Sequence, residues 1–298
     1  MTETVANRIG VVGTGIMGSA ITTRLLKCQQ KVTVFDRNAD KVQAMVDQGA
    51  KAAASPRVVA ENTDFIILSL NTAAIVETVV FGTDGIAEAA APDKLLIDMS
   101  SIDPESTRLM AARLSDEQKM AWLDCPLSGG APGALSGKLA VMSGGRQEDF
   151  EKAKAVMSHL CANFTLMGPS GAGQTTKLVN QVLCAVGFQA IAEATQLALN
   201  GGVAVDRIPA ALAGGRADSR LLQEFMAKMG RHDYSPTGRL DNMLKDLEAV
   251  QAFASKTRVA MPVTALTTEI HRLFVAAGKG GDDNAALMKF FNGPADEA

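Results

Sequence analysis

Lys177 is an amine in a place that needs a reason. The stretch GAGQTTKLVNQVLCAVGFQAIAEATQLAL, residues 171–199, opens with glycines and then reads as one long helix. From Leu178 to Ile191 it is apolar almost all the way round, which predicts a helix buried on every side. An ammonium entering such a helix is costly unless it has a partner or a task. A partly desolvated ammonium gives up its proton more readily. It can then protonate a carbonyl oxygen or accept a proton from a hydroxyl. Asn180 and Gln181, three and four residues on, share its helix face, so an amide there could hold a substrate hydroxyl or orient the amine.

Two further groups have chemistry to offer. Ser128-Gly129-Gly130 follows a β-type run. Its small residues let backbone N–H groups reach an anion, and the hydroxyl adds a donor, which suits a small carboxylate-bearing substrate. Gly13-Thr14-Gly15-Ile16-Met17-Gly18 lies between the strand-like RIGVV and a helical pattern through Ile21, Leu25 and Leu26. A second strand, Lys31 to Phe35, then ends at Asp36. Strand, G-x-G-x-x-G, helix, strand and acid, in that order, form a dinucleotide-binding fingerprint. The glycines give the turn and the close approach, the helix N-terminus attracts pyrophosphate, and the acid accepts from the adenine-ribose hydroxyls. Asp36 repels a 2′-phosphate and favours NAD; Arg37 directly after it keeps NADP open. Lys245-Asp246, flanked by apolar residues, is either an ion pair or a second lysine facing a cleft. His159, His232 and His271 have no metal-ligand spacing, and no metal is expected.

The elements that must position these groups alternate. Strand-like runs fall at Phe65–Leu70, Lys94–Asp98, Trp122–Cys125, Leu139–Met142 and Phe164–Met167, with helices at Pro104–Leu114 and Gln147–Leu160. This predicts a doubly wound α/β sheet of the Rossmann type, mostly parallel, binding ligands outside its carboxyl ends. After Leu166 the strands stop. Residues 1–169 are therefore expected to form the dinucleotide-binding domain and 170–298 an all-helical domain, joined by the long helix. Its further helices fall at Arg207–Ala213, Ser219–Met229, Leu240–Thr257, Pro262–Ala277 and Asp283–Phe291.

Composition narrows the class. A net charge of −3 and one Trp and one Tyr in 298 residues argue against nucleic acid as a partner. The apolar runs read as too short or interrupted for a bilayer, and MTETVANRIG carries no leader core. Four dispersed cysteines, Cys28, Cys125, Cys161 and Cys184, suit a reduced, cytoplasmic protein.

Four strings in order, GTGIMG at 13–18, DCPLSGGAPGALSGKLAVMSGG at 124–145, GAGQTTKLVNQ at 171–181 and NMLKDL at 242–247, resemble the β-hydroxyacid dehydrogenases over nearly the whole chain. That family includes 3-hydroxyisobutyrate dehydrogenase and tartronate semialdehyde reductase; FDRNADK and LIDMSSI look most like the latter branch. The resemblance implies hydride transfer between NAD(P) and short 3-hydroxy acids or semialdehydes, and assembly as homodimers or homotetramers. It implies Lys177 as catalytic, Ser128, Gly129, Gly130 and Asn180 as substrate contacts, and Gly13, Gly15, Ile16, Met17, Gly18, Asp36, Arg37, Leu70, Ser101 and Lys245 at the cofactor. Tartronate semialdehyde leads as substrate, with 3-hydroxyisobutyrate, L-threonate or L-serine as alternatives. A non-catalytic dinucleotide-binding protein and an imine reductase are the other readings, and an intact Lys177 speaks against both. The chain departs from the family at Leu70-Asn71, where Leu-Pro is common, and at Lys138, where a small Thr is common. Arg216 and Arg220 fall in a charged segment that reads as a solvated loop or as a reader of a distal acid group.

Overall fold

The computed structural model describes residues 7–291, so most of the stretch MTETVANRIG, which reads as carrying no leader core, lies outside the described residues. Contacts divide the chain into two compact units, Met1–Lys177 and Leu178–Ala298, the division falling inside the long helix.

The first unit is built on a nine-stranded sheet: β1 Arg8–Val12, β2 Lys31–Phe35, β3 Lys51–Ala52, β4 Phe65–Leu68, β5 Leu95–Asp98, β6 Ala121–Asp124, β7 Leu127–Ser128, β8 Leu139–Gly144 and β9 Cys161–Gly168. The order is β3-β2-β1-β4-β5-β6-β8-β7, with β9 also paired to β8. β1 to β6 run parallel; β8 runs antiparallel to β6 and β7. Fully buried strands such as FIIL and LLID are apolar along their length because helices cover both faces. The helices are α1 Ile16–Lys27, α2 Ala39–Val46, α3 Pro56–Asn62, α4 Ala73–Phe81, α5 Pro104–Gln118, α6 Gly130–Ser136 and α7 Gln147–Met157. Two apolar layers result. One centres on Ile9, Ile21, Leu25, Ile97 and Leu139, the other on Ile66, Leu68, Val76, Leu96 and Trp122. The chain order reverses at β1, which leaves a crevice outside the carboxyl ends of β1 and β4.

The long helix, α8, runs Ala172–Asn200. The second unit continues it with α9 Ile208–Leu212, α10 Arg220–Gly230, α11 Leu240–Thr257 and α12 Pro262–Ala276. Its core gathers Phe188, Ile191, Phe225, Met229, Leu247 and Phe274. Asp283, fully buried, accepts from Lys228 Nζ at 3.0 Å and from the backbone N–H groups of Thr237, Gly238 and Ala285, so its charge is compensated.

Several expectations change. α8 is not buried all round: Val179 is 55% and Leu183 68% exposed, while Gln174, Gln181, Gln189 and Thr195 are buried. Composition told that the helix is apolar, not which side meets protein. α8 is also long and apolar enough, by length and composition, to cross a bilayer, contrary to the reading of interrupted runs. Instead it packs Ala185, Phe188, Ile191 and Ala192 into a protein core. The segment expected as a helix at 283–291 is a 3-10 run, Asn284–Phe290. β3, β7 and α6 had no expectation; each is short, and edge pairing or a turn makes it rather than periodicity.

Candidate active site

The nucleotide turn is built as its glycines require. Gly13 has φ +93°, and its N–H donates to Phe35 O at 2.9 Å, tying the end of β1 to the end of β2. A Cβ on Gly18 would stand 1.8 Å from Gly13 O, so helix and turn touch without room for a methyl group. A Cβ on Gly15 would meet nothing within 4 Å. Gly15 caps α1 with no side-chain hydrogen bond, leaving the first N–H groups of a 12-residue helix for an anion. Thr14 Oγ1 is buried without a partner beside that opening. Ile16 is 83% exposed on the first turn, and Met17 packs partly against the core.

Asp36 is placed at the end of β2, but its oxygens already accept from two backbone N–H groups, Thr14 at 2.8 Å and Asn38 at 2.9 Å. The acid thus shapes the loop as well as facing the cavity. That cavity is lined by Gly13, Gly15, Asp36, Arg37, Leu70 and Asn71, among others. Lys41 lines it too, a cation that sequence reasoning passed over; its signal was the spacing from Asp36 across the first turn of α2. These residues fit a dinucleotide: an open helix N-terminus for pyrophosphate, an acid at the ribose, and apolar Ile75 and Val79 for the adenine side.

Ser128 ends β7 half-buried; Gly129 and Gly130 are exposed, with φ +116° and +59°, and lead into α6. The left-handed backbone at both glycines turns the chain after β7 and leaves the loop open to a ligand. Lys177 is half-buried on α8. Asn180, three residues later on the same helix, donates from Nδ2 to Gln181 Oε1 at 2.7 Å. Gln181 in turn donates to Asp246 Oδ2 at 2.5 Å, so the residue beside Lys245 anchors the amides of α8. Lys245 itself is exposed, as are Lys138 and Arg216; Arg220 pairs with Glu224 at 2.7 Å. Ser101 is half-buried just beyond β5. Among the described residues, no three His, Cys, Asp or Glu side chains gather as a metal site would.

Beneath these loops lies a buried polar cluster that sequence reasoning missed. Asp98 and Asp124 are register partners at the ends of β5 and β6, both fully buried. Burial pushes the Asp98 carboxyl up to about 7; hydrogen bonds from Ser100 oppose this and the Asp124 charge adds to it. Burial also raises Asp124, opposed by the N–H groups of Gly171 and Gln174. Cys125, hydrogen-bonded to Ser143 at 3.4 Å, is pushed far above the usual thiol range by the same burial, which makes it inert. Because Asp98 holds its proton more tightly when folded than its ordinary value of 3.8, the folded state binds more protons between about 4 and 7. Stability falls as pH rises through that window. Asp98→Asn removes the titration, so its Tm is expected to gain on the parent by about 3 °C or more between pH 5 and 8. A Tm difference that does not change with pH would contradict this origin.

The comparisons agree with this architecture. The family model described as the NAD binding domain of 6-phosphogluconate dehydrogenase matches residues 8–168. The model described as NAD-binding of NADP-dependent 3-hydroxyisobutyrate dehydrogenase matches residues 171–291. L-threonate dehydrogenase of Cupriavidus necator is 31% identical over 289 residues, covering 97% of each chain. The 2-hydroxy-3-oxopropionate reductase of Escherichia coli is 33% identical, covering 95% of this chain and 96% of its own. The solved structure of Mycobacterium tuberculosis 3-hydroxyisobutyrate dehydrogenase with L-serine superposes with a TM-score of 0.88 at 26% identity, over 96% of this chain and 99% of that one.

Proposed function

The chain belongs to the β-hydroxyacid dehydrogenases, NAD(P)-dependent oxidoreductases acting on the CH–OH group of hydroxy acids, and we propose that its substrate is a short 3-hydroxy acid or the matching semialdehyde. Tartronate semialdehyde, the substrate named for the Escherichia coli relative, is placed first; 3-hydroxyisobutyrate, L-threonate and L-serine follow. One observation carries the reading. A nucleotide cradle and a half-buried lysine, on a helix fastened to the ends of the same sheet, occur within one unit.

The cofactor supplies or takes the hydride. Lys177 Nζ gives the proton to the carbonyl oxygen in reduction and takes it back in oxidation. The Ser128 hydroxyl and the N–H groups of Gly129 and Gly130 hold the substrate carboxylate and fix which face is presented. Asn180, one turn after Lys177, offers its amide to the substrate hydroxyl. Gly15, Ile16, Met17 and Gly18 take the pyrophosphate at the start of α1, and Leu70 and Ser101 line the cofactor; Lys245 is assigned there by resemblance. Asp36 supports NAD as the preferred cofactor, and Arg37 and Lys41 are the groups that would admit NADP. Family membership supports a homodimer or homotetramer, for which exposed Leu183 and Leu197 on α8 provide an apolar surface. Four free cysteines support a cytoplasmic setting.

A panel of tartronate semialdehyde, 3-hydroxyisobutyrate, 3-hydroxypropionate, glycerate, threonate, serine and 4-hydroxybutyrate, run with both cofactors, tests this. Turnover is expected to be fastest with tartronate semialdehyde, and kcat/KM higher with NADH than NADPH. NADH binding without turnover on any member would replace the enzyme reading by that of a binding protein. A clear NADPH preference would hand cofactor choice to Arg37 and Lys41.

A further inference from the structure

On the proposed mechanism one carbonyl must receive a hydride from the bound cofactor and a proton from Lys177. The loops after β1, β2 and β4 line the nucleotide cavity, the loop after β5 backs Leu70 through Ser100, and α8 carries Lys177. Something has to hold those parts in register. Gln174, one turn before Lys177, is 1% exposed. Its Nε2 donates to Ser100 O at 2.8 Å, and its Oε1 accepts from Ile102 N at 3.3 Å. The side-chain amide therefore grips the backbone on both sides of Ser101. Ser100 Oγ accepts in turn from Leu70 N at 3.0 Å, at the cavity wall. From below, Asp124 accepts from Gly171 N at 2.8 Å and from Gln174 N at 2.9 Å, fixing the first turn of α8. No side chain larger than hydrogen fits at Gly173, where a Cβ would stand 2.5 Å from Met142 O and 2.7 Å from Asp124 O.

We propose that Gln174 is a positioning residue for the reaction, holding the Leu70–Ser101 wall of the cofactor site at a set distance from Lys177. This rests on Lys177 being the proton donor. A buried amide satisfied at both ends is stiff, because each backbone group it releases would be left unpaired. Displacement of a reacting group by about 1 Å costs about a hundredfold in rate. Most of the nucleotide affinity is expected from the β1–α1 turn and Asp36, so a small shift of the wall after β4 should change NADH Kd little.

Gln174→Met keeps the length and removes both hydrogen bonds. Measured well below its own Tm and on the folded fraction, it is expected to lose about 10- to 100-fold in kcat with NADH Kd changed less than about threefold. The deuterium isotope effect with 4-deuterated NADH should rise as hydride transfer becomes limiting. In Gln174→Met/Lys177→Ala the loss from the Gln174 change should vanish, since there is no lysine left to misplace. Gln174→Glu, which can donate to Ser100 O only when protonated, should regain kcat relative to the parent as pH falls. It carries the same measurements if the methionine variant does not fold. A lower Tm with kcat of the folded fraction within about twofold would overturn the proposal, leaving Gln174 a folding contact. So would full additivity with Lys177→Ala. Near-normal turnover in Lys177→Ala alone would instead overturn the lysine assignment.

Discussion

Lys177→Ala is expected to lower kcat by about a thousandfold, with NADH Kd within about threefold of the parent. The two effects separate because different elements carry them. The cavity proposed for the nucleotide is lined by the β1–α1 turn, by Asp36 at the end of β2 and by the wall after β4. Lys177 belongs to α8 and is not among the residues that line that cavity. On the proposed mechanism, the carbonyl oxygen that becomes an alkoxide during hydride transfer loses its proton donor when the amine is removed. Water must then supply the proton, and the pH dependence of kcat that reports the amine should flatten. Lys177→Arg is a sharper form of the test: it keeps charge and reach, but guanidinium does not give up its proton at working pH. It should restore little of the rate. Turnover near the parent value in either variant would remove Lys177 from the mechanism.

Gly18→Ala should be the most damaging small change in the nucleotide turn. The added Cβ would lie 1.8 Å from Gly13 O and 2.9 Å from Gly13 C, both backbone atoms that cannot swing away. Relief requires opening the turn. That would strain the bonds from Gly13 N to Phe35 O and from Thr14 N to Asp36. The expected result is a loss of stability of about 3 kcal/mol together with a loss of NADH affinity of a hundredfold or more. Gly15→Ala is the control. Its Cβ meets no protein atom within 4 Å, and its φ of −66° suits alanine. Tm should stay within about 1 °C while NADH Kd rises about tenfold, because the methyl group takes only the space of the pyrophosphate. Equal Tm losses in the two variants would mean that the turn is not built around a bound phosphate.

These two glycines show how far local information reaches. The fingerprint from Gly13 to Asp36 was legible because its parts are neighbours in sequence and each has a local geometric duty. The same holds for the strands: RIGVV and KVTVF were readable from β-branched, apolar runs. Leu240–Thr257 was readable from its helical period. Lys177 stood out because its type conflicts with the run that follows it.

Where information is not local, the sequence was silent or misleading. An apolar helix can be apolar for a core or for a surface, and only packing showed that α8 leaves Val179 and Leu183 exposed while it buries Gln174 and Gln181. Asp98 and Asp124 are ordinary strand-end acids until the β5–β6 register puts them side by side out of water. Gln174 carries no local signal; its side chain reaches residues 100 and 102, more than seventy positions away in the chain. The sequence by itself determined the nucleotide turn and the βα alternation and singled out Lys177 as the candidate amine, because turn geometry, periodicity and charge act within a few residues. The tertiary structure alone decided what holds that amine in place. Buried hydrogen bonds form between segments that only the completed sheet brings together, and their strength comes from the water that packing excludes.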